Sequence, residues 1–387
     1  MTTLSASSIA VLLFLAVAPR MNAQAADPSR LFAQPSVQSA KLVTNSSIPI
    51  GILPSQYKAA YGFNRVPNQG RGQTIALVDA YDDPNVASDL AYYANYFHLT
   101  PCNFQKVKVG NPSQGQDWDL AESLDVEQAC AMAPQANIIL VEANSDLFSD
   151  LLDAVAVASA PPYNATVIAM GWGTAEFEGE QQFDSYFCNV VNGNGRPVTF
   201  VAAINWVLYP AASPCVIAVG GTTLGLSSVL PPANPLQLNY GSESAWGYGG
   251  ISVYESQPTW QNPACTAFSQ SARCLPDVAA AADADPGIPV YDTYSFAGWV
   301  TVGAPWASTP NWAAFFSLVN SARVAQLKNT LSQAAADMYA IYYSSDYLTD
   351  FHDVISGRGA GAGYDLATGI GSYRANNLFS ALVADAN

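Results

Sequence analysis

From about residue 74 to residue 219 the chain alternates two kinds of apolar pattern. Short continuous runs at 74–78, 136–141, 166–170, 198–202 and 215–219 are rich in β-branched residues and predict strands buried on both faces. Between them, segments near 84–97, 122–132, 147–159 and 178–191 carry apolar residues at helical spacing. Strands separated by helices imply an α/β fold, a parallel sheet with helices on both faces. Two more helices are predicted near 309–322 and 324–343, ahead of a Gly-rich segment at 356–371. Residues 26–49, rich in Ala, Ser, Gln and Asn without a clear period, read as a linker or N-terminal tail. No repeat or coiled-coil heptad interrupts this order.

Composition narrows the setting. The first 25 residues run from a polar start through an apolar stretch at 9–18 to Ala23-Gln24-Ala25, a small-x-small pattern suited to signal-peptidase cleavage. The n-region carries no Lys or Arg, and the first base is Arg20. We expect export, to a secreted or periplasmic location. No later segment approaches the ~20 continuous apolar residues of a membrane span, so none is expected in the mature chain. Of 387 residues only 11% are charged, and 30 acids face 14 bases for a net charge of −16. Such a surface repels nucleic acid and anionic lipid. Few bases also means little mutual repulsion once carboxylates protonate, so the composition suits acid as well as it suits an ordinary acidic secreted protein. Six cysteines, an even number without C-x-x-C spacing, point to disulfides. Only Cys265 with Cys274 is readable as a pair, because a short loop joins them.

Several strings occur in an order that resembles the sedolisins, serine-carboxyl peptidases with a subtilisin-like fold. They are Ile75-Ala76-Leu77-Val78-Asp79-Ala80-Tyr81, Leu124-Asp125-Val126-Glu127 with Ala133-Pro134-Gln135-Ala136, Tyr209-Pro210-Ala211, Val219-Gly220-Gly221-Thr222-Thr223, Ser244-Ala245-Trp246, Pro276-Asp277-Val278 and Gly363-Tyr364-Asp365-Leu366-Ala367-Thr368-Gly369. The resemblance runs from about residue 50 to 387 and implies a subtilisin-like, doubly wound parallel sheet of about seven strands. It also implies a chemistry: a serine nucleophile, a glutamate as its general base, an aspartate bonded to that glutamate, and a second, protonated aspartate in the oxyanion hole. A carboxylate base stays unprotonated above a pKa of about 4.3, where an imidazole is already charged, so it operates in acid.

Carried over position by position, that machinery is mostly absent. In the family's Gly-Gly-Thr-Ser motif, a proline follows the serine by four; here Pro310 sets the frame and Trp306 stands at the serine position. The family glutamate lies four residues before the aspartate of the Leu-Asp-Val-Glu string, which is Ala121 here. Trp206 falls at the oxyanion aspartate, after a shortened loop. Only Asp125 is retained. Two substitutes offer themselves: Glu122, which helix geometry turns about 100° away from position 121, and Ser308, which reads as a helix cap. Neither His98 nor His352 sits in a motif with a serine.

A metal site is better preserved. The resemblance implies calcium bound by Asp353 and Asp365 with carbonyls of Val354, Gly361 and Gly363; hard oxygen ligands suit calcium, and glycines allow the sharp bends. Active relatives usually carry a long pro-segment, whereas about two dozen linker residues precede the domain here. The leading expectation is therefore an exported, calcium-stabilised peptidase homologue without proteolytic activity, binding a peptide or glycan in the former groove. Trp206 and Trp306 would meet across it, as a plug or a platform. The alternatives are an active acid endopeptidase using displaced groups, and a purely structural surface component.

Overall fold

In the computed structural model, residues 27, 30–35, 43–115, 118–228 and 238–385 are described. The signal-peptide reading of 1–25 lies outside them. The strands of the main sheet are β1 (Thr74–Ala80), β2 (Asn103–Lys108), β3 (Asn137–Ala143), β4 (Val167–Met170), β5 (Thr199–Ala203), β6 (Ile217–Ser228), β7 (Leu238–Ala245) and β8 (Val278–Ala281). Their order is β7-β6-β5-β4-β1-β3-β2, with β8 also pairing β6. Every pairing except β6–β7 is parallel, so seven strands form the parallel sheet that the sequence implied.

Alternate residues of the central strands enter separate cores because successive side chains of a strand point to opposite faces. Ile75 and Leu77 pack on one face in a cluster with α1 (Pro54–Tyr61), α2 (Val86–Tyr96), α3 (Asp119–Met132) and α5 (Thr309–Ala325), and Ala76 and Val78 pack on the other with α4 (Phe148–Ser159). Asp119 and Glu122 fall in the first turn of α3, where burial holds the Glu122 carboxyl well above the usual range. Pro310 opens α5, where its missing N–H costs no intrahelical bond.

All six cysteines are paired, as Cys102–Cys130, Cys188–Cys215 and the expected Cys265–Cys274. Buried Arg273 pairs with buried Asp277 at 2.7 Å, and Asp277 also accepts the Ala218 N–H at 2.8 Å, which fastens the Pro-Asp-Val string to β6. No described helix is long and apolar enough to cross a membrane.

Three local expectations differ from the structure. The segment 178–191 holds only a 3₁₀ turn, Glu180–Tyr186, entered through Gly179 at φ 87°. The helix expected over 324–343 is interrupted: the chain leaves α5, passes through exposed Leu327 at φ 62°, and restarts at α6 (Ala334–Tyr342). The buried Arg323 guanidinium causes the detour, donating to the carbonyls of Asn329, Leu382 and Asp385. The segment read as a tail contains two short strands: Gln34–Pro35 pairs with Trp172–Ala175, and Val43–Ser46 pairs with Gly298–Val302.

Candidate functional site

The chain crosses from one side of β1 to the other between β3 and β4, and in open α/β sheets such a switch leaves a crevice at the carboxyl ends of the strands. Asp79 lies near that end of β1, Gly171 follows β4 and Ala203 closes β5. Helix α3 runs beside β1 and β3 and presents Ala121 and Asp125 one turn apart on one face.

Trp306 enters from the short 3₁₀ turn Pro305–Ser308 that leads into α5. Its indole is 0% exposed and packs in one apolar cluster with Ala121, Leu124, Ala203, Ile288 and Val302. Gly171 fixes the relation to the retained carboxylate. A Cβ placed there would lie 3.3 Å from Asp125 Oδ2 and 3.3 Å from Trp306 Cδ1, so both side chains close over the same glycine. Ala121, Asp125 and Trp306 are thus brought together in one place.

Trp206 is not part of this group. After β5 the chain turns at Ile204, which is buried, and projects Trp206 outward with 63% of its surface exposed. It stacks on Tyr248 at a 16° interplanar angle, so the two tryptophans do not meet across the cleft. The physical reason is the short turn: the next residues, Leu208–Tyr209, are drawn into pairing with Thr174 and Ala175.

Asp125 is fully buried, and neither of its oxygens has a hydrogen-bond partner among the described residues; the same holds for Asp79. Burial pushes Asp79 up to about 7. Asp125 is raised well above the usual carboxylate range by burial, with the charge of Asp79 adding to the shift. Two neighbouring carboxyls in a dry site do not ionise together, so this pair holds at least one proton at neutral pH. Sequence reasoning missed Asp79 as a partner. The available signal was a carboxylate set among five apolar residues of a central strand.

Neither displaced group assembles a substitute site. Glu122 is buried and accepts the Asp83 N–H at 3.0 Å, turned away from Trp306 as helix geometry predicted. Ser308 does not cap α5; its buried hydroxyl donates to the Gly220 carbonyl at 3.0 Å. Ser123 donates to Asp83 at 3.3 Å, but both are sealed from solvent. His352 is stacked on Tyr240, its centroid 3.6 Å away, and burial lowers its pKa to about 3.

The C-terminal loop brings four of the five expected metal ligands, Asp353, Gly361, Gly363 and Asp365, into contact pairwise. Asp353 accepts the Gly363 N–H at 3.0 Å, and Asp365 accepts the Gly361 N–H at 2.8 Å. Both carboxylates therefore face the same turn of chain, where Gly363 adopts φ 75°. Neither has a Lys or Arg within 4.0 Å among the described residues. Two carboxylates without a Lys or Arg counter-cation, in a glycine-containing loop that bends sharply, offer the hard oxygen donors that a divalent ion such as calcium takes.

No family model matches the chain. Over 364 residues it is 26% identical to sedolisin from Pseudomonas sp. (strain 101), covering 83% of this chain and 60% of that protein. Against kumamolisin from Bacillus sp. (strain MN-32) the identity is 27%, covering 89% of this chain and 66% of that protein. The chain thus spans a little under two thirds of these relatives. Among solved structures, Pseudomonas sedolisin, a serine-carboxyl proteinase complexed with two molecules of pseudo-iodotyrostatin, superposes with a TM-score of 0.70 at 22% identity, covering 88% of this chain and all of that one.

Proposed function

Because the chain belongs to the sedolisin family, we propose that it is an exported, calcium-binding member that no longer hydrolyses peptides and acts by binding a peptide or glycan. The observation that carries this reading is Trp306: an apolar ring, fully buried against Ala121 and Ala203, lies beside the retained Asp125. The ring offers no hydroxyl to attack a carbonyl, and the alanine offers no base.

A second observation favours silence over a displaced mechanism. The strand Trp172–Ala175 that continues from Gly171 is paired along both edges, by Gln34–Pro35 on one side and Leu208–Tyr209 on the other. An extended peptide that docked there by backbone pairing would first have to displace Gln34–Pro35. The three disulfides accord with an oxidising destination outside the cytoplasm. Calcium would be held by Asp353, Asp365 and the carbonyls of Val354, Gly361 and Gly363, neutralising two carboxylates in one loop.

A fluorophosphonate probe, which labels activated serines, tests the reading. Applied at about pH 5, above the pKa of about 4.3 of an ordinary carboxylate base, it should leave the mass of the intact protein unchanged. A stoichiometric adduct on Ser308 or any other serine would show that a nucleophile persists.

A further inference from the structure

Trp206 leaves an open question, since an indole with 63% of its surface in solvent is not explained by packing. It stands at the mouth of a cavity of about 470 Å³ whose walls are Trp206, Tyr248, Gly249, Arg358, Gly359 and Leu366. Trp206 and Tyr248 lie nearly parallel, with centroids 5.6 Å apart. The Arg358 guanidinium sits 5.1 Å from the Tyr248 ring centre, and its Nη1 donates to the Tyr248 hydroxyl at 3.0 Å.

The floor beneath these side chains is fixed. The Gly249 N–H donates to the Leu366 carbonyl at 2.8 Å, and a Cβ at Gly249 would come within 2.1 Å of the Leu275 carbonyl oxygen, so only glycine fits. Arg358 follows Gly357, which bridges to Ala245 in β7 at φ 95°. A rigid base therefore displays two exposed rings and one cation.

Charge adds direction. In a chain of net charge −16, Arg358 has no carboxylate within 4.0 Å among the described residues. Its hydrogen bond to Tyr248 uses one of five guanidinium donors, which leaves a fork able to take a carboxylate by two parallel bonds. Beside it, the indole face offers an apolar plane of the kind that C–H faces of a pyranose ring cover. The wider acidic field disfavours a densely charged polymer, so the ligand that fits brings a single carboxylate to Arg358.

We propose that this cavity binds a uronic-acid residue of an oligosaccharide, the pyranose ring on Trp206 and its carboxylate on Arg358. The inference rests on the reading that the chain binds rather than cuts, yet the two fail separately. Neither Trp306 nor Asp125 lines the cavity, so peptide hydrolysis would overturn the earlier reading and leave a sugar titration untouched.

The test is calorimetric titration of the full-length protein, with calcium present, by a galacturonate trimer, a neutral galactose trimer and a tripeptide with a free C-terminus. Saturable binding of the galacturonate trimer is expected, with the neutral trimer at least about tenfold weaker. Arg358→Gln should bring the galacturonate trimer down to the affinity of the neutral one, and Trp206→Ala should abolish binding of both; unchanged melting temperatures would show that the variants remain folded. Equal affinity for the charged and neutral trimers would overturn the proposal, as would preference for the tripeptide, an unaffected Arg358→Gln variant, or no saturable binding at millimolar ligand.

Discussion

At the scale of residues, the proposed loss of activity gives Trp306 two roles: it stands in place of a nucleophile, and its buried ring fills the space beside Asp125. Truncation of a large buried ring loses its transfer free energy and leaves a cavity, so Trp306→Ala should destabilise the protein by about 3–5 kcal/mol in denaturant titration. A loss below about 1 kcal/mol would mean that the ring is not packed as described. Trp306→Ser alone should produce no peptidase, because Ala121 still lacks a carboxylate; cleavage of denatured protein by that variant would show that some other group serves as base. The positions of Ala121, Asp125 and Trp306 were legible because they are counted from short collinear motifs, and helix periodicity carries the count into space. Two side-chain roles were not legible. Trp206 turns outward onto Tyr248, and Ser308 donates to Gly220 rather than to its own helix. Both are decided by partners far along the chain, which no local pattern announces.

Elements were legible where burial imposes a strict period and obscure where it does not. The five predicted strands all lie within or overlap strands of the main sheet, because a strand buried on both faces must be apolar throughout. Edge strand β2, Asn103–Lys108, went unseen since three of its residues, Asn103, Gln105 and Lys108, are exposed and polar and leave no apolar run. The antiparallel β7 has no continuous apolar run either. For the C-terminal loop, the two aspartates should repel one another until a cation binds. Chelator is therefore expected to lower the melting temperature and added calcium to restore it, with Asp353→Ala combined with Asp365→Ala removing the calcium-dependent part. Identical melting curves with chelator and with calcium would remove the loop from consideration as a metal site.

At the scale of the whole molecule, buried carboxyl groups outnumber buried Lys and Arg among the described residues. Burial raises Asp79 to about 7, Asp83 to about 6, Glu142 to about 8, Glu180 to about 9, Glu255 to about 8 and Asp292 to about 7. In the unfolded chain such groups titrate near 4. Between those limits the folded state binds more protons than the unfolded one, so the contribution of these groups to stability is fully present below about pH 4 and is lost progressively as the pH rises from there through their folded values of about 6 to 9. The melting temperature should accordingly be higher at pH 5 than at pH 8, and Asp79→Asn should flatten that dependence. A melting temperature that rises with pH over this range would contradict the assignment. The most direct test of the central claim is digestion of a denatured protein substrate between about pH 3 and 5, with fragments counted by mass spectrometry for the wild type and for Asp125→Asn. No cleavage above buffer by either protein is the predicted result. Fragments produced by the wild type and lost in Asp125→Asn would show that the retained aspartate still serves a working peptidase.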